Sequence, residues 1–208
     1  MKTNFLKSRW ILYVVFVLTS ALLILILYPS SKEIRVKEVE DGDTVILNNG
    51  ERVRYIGIDT PEKGEPFFSE ATEAKRKMLE GEKITLEYDV ERRDDWGRIL
   101  AYVWVGNILI NAELIEKGWA LVYTYPPNLK YRKYFCSLQT QARKAKVGIW
   151  SLPVSEKEKY YLGNKRSFRF HRPDCKSALQ MTERNKIVFK TREEALDSCY
   201  SPCRDCKP

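Results

Sequence analysis

Five short runs of apolar and β-branched residues, separated by turn signals, lie in the middle of this chain. They occupy residues 34–39, 44–47, 53–58, 84–90 and 99–105. Asn48-Asn49-Gly50 between the second and third runs is a strong hairpin signal. Runs this short are typical of strands, and turns this close together favour antiparallel neighbours. A small Greek-key barrel therefore accounts for this part of the chain, with a mainly β fold of the α+β class.

Three helical patterns are interspersed with these strands. The first runs from Ser69, a suitable N-cap, to residue 80 and ends at Gly81. The second covers 111–117 before Gly118, and the third covers 130–147 before Gly148. Few, short helices beside five strands predict that the helices pack on the barrel.

The formal net charge of +8 is unevenly distributed. Residues 155–208 carry net +5, whereas residues 33–154 carry net −1. A basic excess indicates an anionic partner, such as nucleic acid, a membrane or an acidic polymer. His171 is the single histidine, so catalytic schemes that need two histidines are excluded.

The N-terminal segment, residues 1–32, contains an apolar stretch of 18 residues at 11–28. As a helix it would span about 27 Å, close to the hydrocarbon core of a bilayer. Cleavage after Ala21, the best signal-peptide site, would leave an apolar start on a soluble protein. We therefore expect a single-pass cell-membrane anchor with a cytoplasmic N-terminus, the alternative being secretion after signal cleavage.

Several oxygen-bearing side chains cluster in the sequence around two turns. Asp43 lies in the turn after the first strand, and Asp59-Thr60 follow the third. Hydrolysis of a phosphodiester needs a hard cation to neutralise the phosphate, and carboxylates and carbonyls are ligands for calcium. The candidate calcium ligands are the side chains of Asp43 and Asp59 and the backbone carbonyl of Thr60.

A base and two guanidinium groups complete this set. Glu62, beside the metal pair, is the candidate base that activates water. Arg54 and Arg98 are candidates to stabilise the negative charge of the pentavalent phosphorane. Each residue alone has a structural explanation as part of a common turn or an exposed strand face. The combined order and spacing favour phosphodiester hydrolysis.

Residues 34–151 resemble the staphylococcal nuclease family. The matching stretches are 39–45, 54–62, 95–102 and 148–151. The resemblance implies an OB-type five-stranded barrel with three helices and calcium-dependent hydrolysis of DNA and RNA to 3′-phosphate products. It also implies the metal, base and charge-stabilising roles assigned above.

The same resemblance suggests substrate contacts. Trp96 stands where the family often has a tyrosine near the nucleotide, and Tyr123 and Tyr125 resemble its nucleotide-binding tyrosines. An equally good interpretation packs Tyr123 and Tyr125 on the barrel at the end of a strand. The Lys-rich loop that the family has after the Asp-Thr-Pro-Glu motif is short here, at 63–68.

The C-terminal part follows a linker at 152–162 and contains two closely spaced ligand pairs. These pairs are His171-x3-Cys175 and Cys203-x2-Cys206. Two such pairs, far apart in sequence, are typical of a tetrahedral zinc site. Residues 163–208 resemble the zinc-binding module of the Ada DNA-repair protein. His171 matches the cysteine that accepts a methyl group there, so methyl transfer is not expected.

Disulfides are the alternative for this tail, because an extracytoplasmic site is oxidising. Cys175, Cys199, Cys203 and Cys206 could form two bridges, although the spacing favours zinc. Cys199 is then either a substitute ligand or a buried thiol. We interpret Cys136, in the third helical pattern, as a small packed residue.

Basic and aromatic residues alternate from 165 to 172. We expect Arg166 and Arg169 to contact nucleic-acid phosphates, and Phe168 and Phe170 to belong to the core. The sequence thus predicts a membrane-anchored calcium-dependent endonuclease with a zinc-stabilised DNA-binding tail. The rivals are a non-catalytic nucleic-acid receptor and a metal hydrolase of small phosphodiesters.

Overall fold

The computed structural model describes residues 14–20, 33–153 and 158–208. Residues 14–20 are helical, and the rest of the predicted 11–28 span lies outside the described residues. Across the three described ranges, no helix has both the length and the apolar composition needed to cross a membrane. The membrane anchor therefore stays a prediction.

Five strands form the path of the main sheet, in the order β1-β2-β3-β6-β5. They are β1 (Val36–Val39), β2 (Thr44–Leu47), β3 (Arg52–Tyr55), β5 (Thr85–Glu87) and β6 (Ile99–Val105). β1, β2 and β3 pair antiparallel, whereas β3 and β6 run parallel. A bridge between Arg35 and Lys83 joins the two edges and closes the barrel. The five predicted strands are thus present, the fourth being shorter than expected.

Three short strands extend this framework. β7 (Ile108–Leu109) pairs with β6, and β4 (Ile58–Asp59) pairs with β8 (Leu121–Val122). Val45, Val53 and Tyr55 are almost fully buried, because alternate side chains of each strand point into the barrel. The β4–β8 pair holds the segment that carries Asp59.

Three helices pack on the barrel, as predicted: α1 (Phe68–Leu79), α2 (Ile110–Glu116) and α3 (Arg132–Ala145). The expected cap at Ser69 is wrong, since α1 begins after Phe67 and has no side-chain cap. Likewise, α3 ends at Ala145 with Lys146 in the left-handed region, and Gly148 begins a separate 3-10 turn. Gly148 instead packs so closely on Gly118 that a Cβ atom there would lie 2.2 Å from the Gly118 carbonyl oxygen.

Asn111 fastens α2 to the barrel and is completely buried. Its Oδ1 accepts from the Val103 N–H at 2.9 Å, and its Nδ2 donates to the Ile56 carbonyl at 2.8 Å. A buried amide with both partners satisfied positions the helix specifically, because any shift would leave polar groups without hydrogen bonds.

The C-terminal part forms a second, four-stranded sheet in the order β11-β9-β10-β12. Its elements are β9 (Tyr161–Asn164), β10 (Arg169–His171), α4 (Lys176–Leu179), β11 (Lys186–Phe189), α5 (Arg192–Asp197) and β12 (Ser201–Pro202). Phe170 is buried and Phe168 packs beside the same cluster, as expected. β9 begins at Tyr161, inside the segment predicted to be a linker.

Residues 34–208 form one compact unit, so the barrel and the C-terminal sheet pack together. A disulfide joins Cys136 of α3 to Cys199. An ion pair of 2.7 Å between Arg143 and Asp197 lies across the same junction. Cys136 is therefore more than a packed residue, and the interpretation of Cys199 as a zinc ligand or a buried thiol is wrong.

Candidate active site and metal centre

The turn between β1 and β2 presents Asp43. The Asp41 carboxylate accepts the N–H groups of Asp43 at 2.9 Å and Thr44 at 2.7 Å, which fixes the turn. Burial and, next, the charge of Asp43 raise the pKa of Asp41. The buried Asp43 side chain also accepts the Thr44 hydroxyl at 3.1 Å. Asp41 is thus a positioning residue to which the sequence assigned no role.

Gly42 allows this turn to approach the loop after β4. A Cβ atom at Gly42 would come within 2.6 Å of Thr60 Cβ, closer than side chains tolerate. The approach places the Thr60 N–H and hydroxyl 3.4 Å from the Asp43 carboxylate. A glycine between two aspartates is therefore needed for the second loop to reach Asp43.

Arg54 of β3 links the two candidate calcium ligands. Its Nη2 lies 2.9 Å from Asp43 Oδ2 and 3.4 Å from Asp59 Oδ1. Its Nη1 donates to the Tyr55 carbonyl at 2.8 Å, which holds the guanidinium in place. All three charged side chains are largely buried. The structure thus brings together Asp43, Arg54, Asp59 and Thr60, as the motif spacing predicted.

Lys75 of α1 supports the Asp43 turn from the other side. Its fully buried ammonium donates to the carbonyls of Asp41 and Thr44, each at 3.1 Å, and lies 4.1 Å from the centre of the Tyr55 ring. Burial lowers the pKa of Lys75 to about 7, although the nearby carboxylates oppose this shift. The sequence analysis missed Lys75, which falls on the same helix face as the buried Ala71 and Leu79.

Arg204 of the C-terminal part reaches into this site and was also missed. Its guanidinium pairs with both oxygens of Asp59, with Nε 3.0 Å from Oδ2. Its Nη1 lies 3.6 Å from Glu62 Oε1, so one guanidinium contacts the candidate metal ligand and the candidate base. The Glu62 side chain is otherwise 66% exposed, which leaves it open to water.

Arg98 and Trp96 form a separate group. Arg98 Nε donates to Asp94 Oδ2 at 2.7 Å, and its guanidinium lies 5.4 Å from the centre of the Trp96 ring. Among the described residues, the hydrogen bonds of Arg98 go to Asp94 and not to the carboxylates of Asp43 and Asp59. The Trp96 side chain is exposed and accessible to a ligand.

Two arginines of the C-terminal part lie over Tyr123. The guanidinium carbon of Arg169 is 3.3 Å from the ring centre, and that of Arg204 is 5.4 Å away. Arg169 also donates to the Thr124 carbonyl at 2.8 Å. The guanidinium of Arg169 thus packs the C-terminal part on the barrel, and its contact with phosphates stays a prediction. Tyr125 is partly exposed.

Four candidate zinc ligands converge in the C-terminal sheet. The ligand atoms of His171, Cys175, Cys203 and Cys206 lie within 4.8 Å of one another. The three cysteines are free thiols, so the alternative of two disulfides in this tail is wrong. Burial and then the charge of Arg169 lower the pKa of His171, which favours the neutral imidazole that binds metals.

Comparison with known proteins agrees with both halves of this structure. The model of the staphylococcal nuclease homologue family matches residues 52–152. A thermonuclease of Staphylococcus intermedius is 42% identical over 124 residues, covering 55% of this chain and 74% of that protein. The chain belongs to the staphylococcal nuclease family.

Two further relatives extend this comparison. A thermonuclease of Staphylococcus hyicus is 39% identical over 126 residues, covering 56% of this chain and 75% of that protein. Endonuclease YncB of Bacillus subtilis (strain 168) is 37% identical over 122 residues, covering 53% of this chain and 58% of that protein.

The C-terminal part matches a different family. Residues 154–208 match the metal binding domain of Ada, in agreement with the resemblance seen in the sequence. Together with the His171, Cys175, Cys203 and Cys206 cluster, this match makes residues 158–208 a zinc-binding module. One nitrogen and three sulfur ligands are a donor set typical of structural zinc sites, so an ion held by these four residues would stabilise the small sheet.

Proposed function

We propose that this chain is a calcium-dependent endonuclease that hydrolyses DNA and RNA to 3′-phosphate products. The observation that carries the proposal is the convergence of Asp43 and Asp59 on Arg54, with Glu62 exposed on the following loop. The thermonucleases and the endonuclease among its relatives support the same class of reaction.

The donor set of this site fits calcium. Asp43 and Asp59 offer carboxylate oxygens and Thr60 a backbone carbonyl, all of them hard ligands of the kind that calcium binds. The two carboxylates already share a cationic group, Arg54, so their negative charges are held close together. Calcium bound there would neutralise and polarise the phosphate.

The remaining steps belong to the side chains of the chain itself. Glu62 accepts the proton of the attacking water, for which its exposure is suitable. Arg54 donates hydrogen bonds to the phosphate oxygens as they gain negative charge. Arg98 is proposed as a second donor, with Trp96 beside it as a surface on which a base can stack.

The zinc-binding module supplies basic surface for a polynucleotide. Arg166 is exposed in the turn between β9 and β10, and the net charge of residues 155–208 is +5. Because the barrel region is nearly neutral, we assign most of the electrostatic attraction for nucleic acid to this module.

We place the site outside the cytoplasm, at the cell membrane or after secretion. The Cys136–Cys199 disulfide supports this placement, since disulfides persist in oxidising compartments. Calcium sites of low affinity, with Kd of about 10⁻⁴–10⁻³ M, also suit an extracellular setting.

Digestion of plasmid DNA and RNA by the full chain tests the catalytic proposal. Cleavage is expected with calcium and not with magnesium alone, and Glu62→Gln should lower the rate by about 10²–10⁴-fold. Glu70→Gln is the matched control, because it makes the same chemical change on the exposed face of α1. Uncut polynucleotides in calcium would refute the proposal and would favour a non-catalytic receptor.

A further inference from the structure

A groove of about 1120 Å³ runs between the loop after β4 and the zinc-binding module. Asp59, Thr60 and Glu62 line one side of it, so the groove begins at the candidate active site. Cys203 and Lys207 line the facing side. Its volume exceeds that of the usual pocket for one small ligand, about 300–1,000 Å³.

Positive charge dominates the walls contributed by the module. The basic residues that line the groove are Lys63, Arg172, Arg192, Arg204 and Lys207. Four of these five belong to the zinc-binding module and only Lys63 to the barrel. Trp150 adds an aromatic ring to the lining. Cationic side chains with an aromatic ring in one groove are typical of sites that bind single-stranded nucleic acid.

Arg204 and Lys207 hold carboxylates of the active-site loop. Arg204 pairs with Asp59, and Lys207 Nζ lies 2.5 Å from Glu65 Oε1. The two basic side chains are 49% and 69% exposed. The Lys207–Glu65 pair is open to solvent and therefore weak, so a phosphate group can replace the Glu65 carboxylate at little cost. The Asp59 side chain is only 13% exposed, so Arg204 keeps that contact and offers a phosphate its Nη1 group, which lies 3.6 Å from Glu62.

We propose that this groove is the path of a single polynucleotide strand leading away from the scissile phosphate, and that Arg204 and Lys207 bind its phosphates. The inference rests on the proposed function, because it takes the scissile phosphate to lie at Asp59 and Glu62. It assigns the zinc-binding module a part in substrate binding at the active site itself. A zinc ion held by Cys203 and Cys206 would fix the backbone that carries the two basic neighbours Arg204 and Lys207.

The salt dependence of single-stranded oligonucleotide binding tests this proposal. Binding of a labelled oligonucleotide would be measured in full-length Glu62→Gln protein with saturating calcium, so that turnover does not interfere. Each phosphate contact to a single strand contributes about −0.7 to the slope of log K against log salt. Replacing Arg204 and Lys207 together by Gln should therefore make the slope less negative by about 1.4.

Arg184→Gln/Lys190→Gln is the matched control. It removes two exposed positive charges from the same module at positions that do not line the groove. The slope of this control should stay at the parent value. Equal slopes for the control and the Arg204/Lys207 variant would overturn the proposal. Circular dichroism and zinc content verify that both variants are folded.

Substrate length provides a second, independent readout. At saturating calcium, Lys207→Gln in the otherwise native chain should raise KM for a long single strand by a larger factor than KM for a dinucleotide substrate, because Lys207 contacts Glu65 and neither Asp59 nor Glu62. An equal change for both substrates would overturn the groove assignment. If the native chain cleaves neither substrate, the proposed catalytic function fails, while the salt slopes still decide whether the groove binds a strand.

Discussion

The disulfide between Cys136 and Cys199 should stabilise the folded chain by about 4 kcal/mol. It spans a sequence separation of 63 residues and connects the barrel helix α3 to the zinc-binding module. For a closed loop of this length, the loss of chain entropy in the unfolded state corresponds to about 4 kcal/mol at 25 °C. The substitution Cys199→Ala should lower the free energy of unfolding by that amount. Cys199 has a left-handed φ of 63°, but alanine and cysteine are both disfavoured there, so the substitution adds little backbone strain.

Urea unfolding of the full zinc-loaded chain, followed by tryptophan fluorescence and circular dichroism, measures this loss. With an m value of about 2 kcal/mol/M, the midpoint should fall by about 2 M. Ser137→Ala, an exposed change on the same helix, is the control and should alter stability by less than about 0.5 kcal/mol. A loss below about 1 kcal/mol for Cys199→Ala would refute the reasoning, since the barrel and the module would then unfold independently.

Four other perturbations test different parts of the structure. Arg204→Gln should raise calcium affinity at least about fivefold by calorimetry, because an ion pair worth at least about 1 kcal/mol, whose Asp59 side chain is only 13% exposed, no longer competes for that carboxylate; weaker binding would contradict this. Asn111→Ala should cost about 2–4 kcal/mol in urea unfolding, since two buried backbone groups lose their partner; a loss below about 1 kcal/mol would count against that role. Burial lowers the pKa of Lys75 from 10.5 to about 7. Between these two pH values the Lys75 amine is protonated in the unfolded chain and has lost its proton in the folded chain. The free energy of unfolding of the parent minus that of Lys75→Met should therefore rise from pH 7 to 10. A difference that does not change with pH in parallel urea titrations would contradict the lowered pKa of Lys75. His171→Ala should weaken zinc binding in competition with a chelator and broaden the NMR signals of residues 158–208 while those of the barrel persist; unchanged zinc affinity would exclude His171 as a ligand.

Local signals in the sequence predicted much of this fold. The strand at 99–105 lies where β-branched and aromatic residues predicted it, and the turn at 48–50 lies where the Asn-Gly signal predicted it. The zinc ligands were predictable because each pair occupies one short segment, and the spacing within a segment is a local property. The candidate calcium ligands were predictable for the same reason, because each of the Asp-Gly-Asp and Asp-Thr-Pro-Glu motifs is a local signal. Their side chains come together when the fold brings the two turns side by side.

Local signals were less reliable at helix ends. Ser69 has a suitable side chain for a cap, yet Phe67 occupies the left-handed position where α1 begins. Lys146, and not Gly148, takes the left-handed position at the end of α3. A Cβ atom at Gly148 would lie 2.2 Å from the Gly118 carbonyl oxygen, so this glycine is needed for a close contact between remote segments and not for the cap.

The sequence by itself determined the strands, the turns and the two sets of candidate ligands. Only the tertiary structure decided that Cys136 pairs with Cys199, that Arg169 lies on Tyr123, and that Arg204 reaches Asp59 across a separation of 145 residues. The physical reason is that hydrogen bonds and ion pairs act over a few ångströms. Which segments remote in sequence come that close depends on the whole fold and cannot be inferred from local sequence patterns.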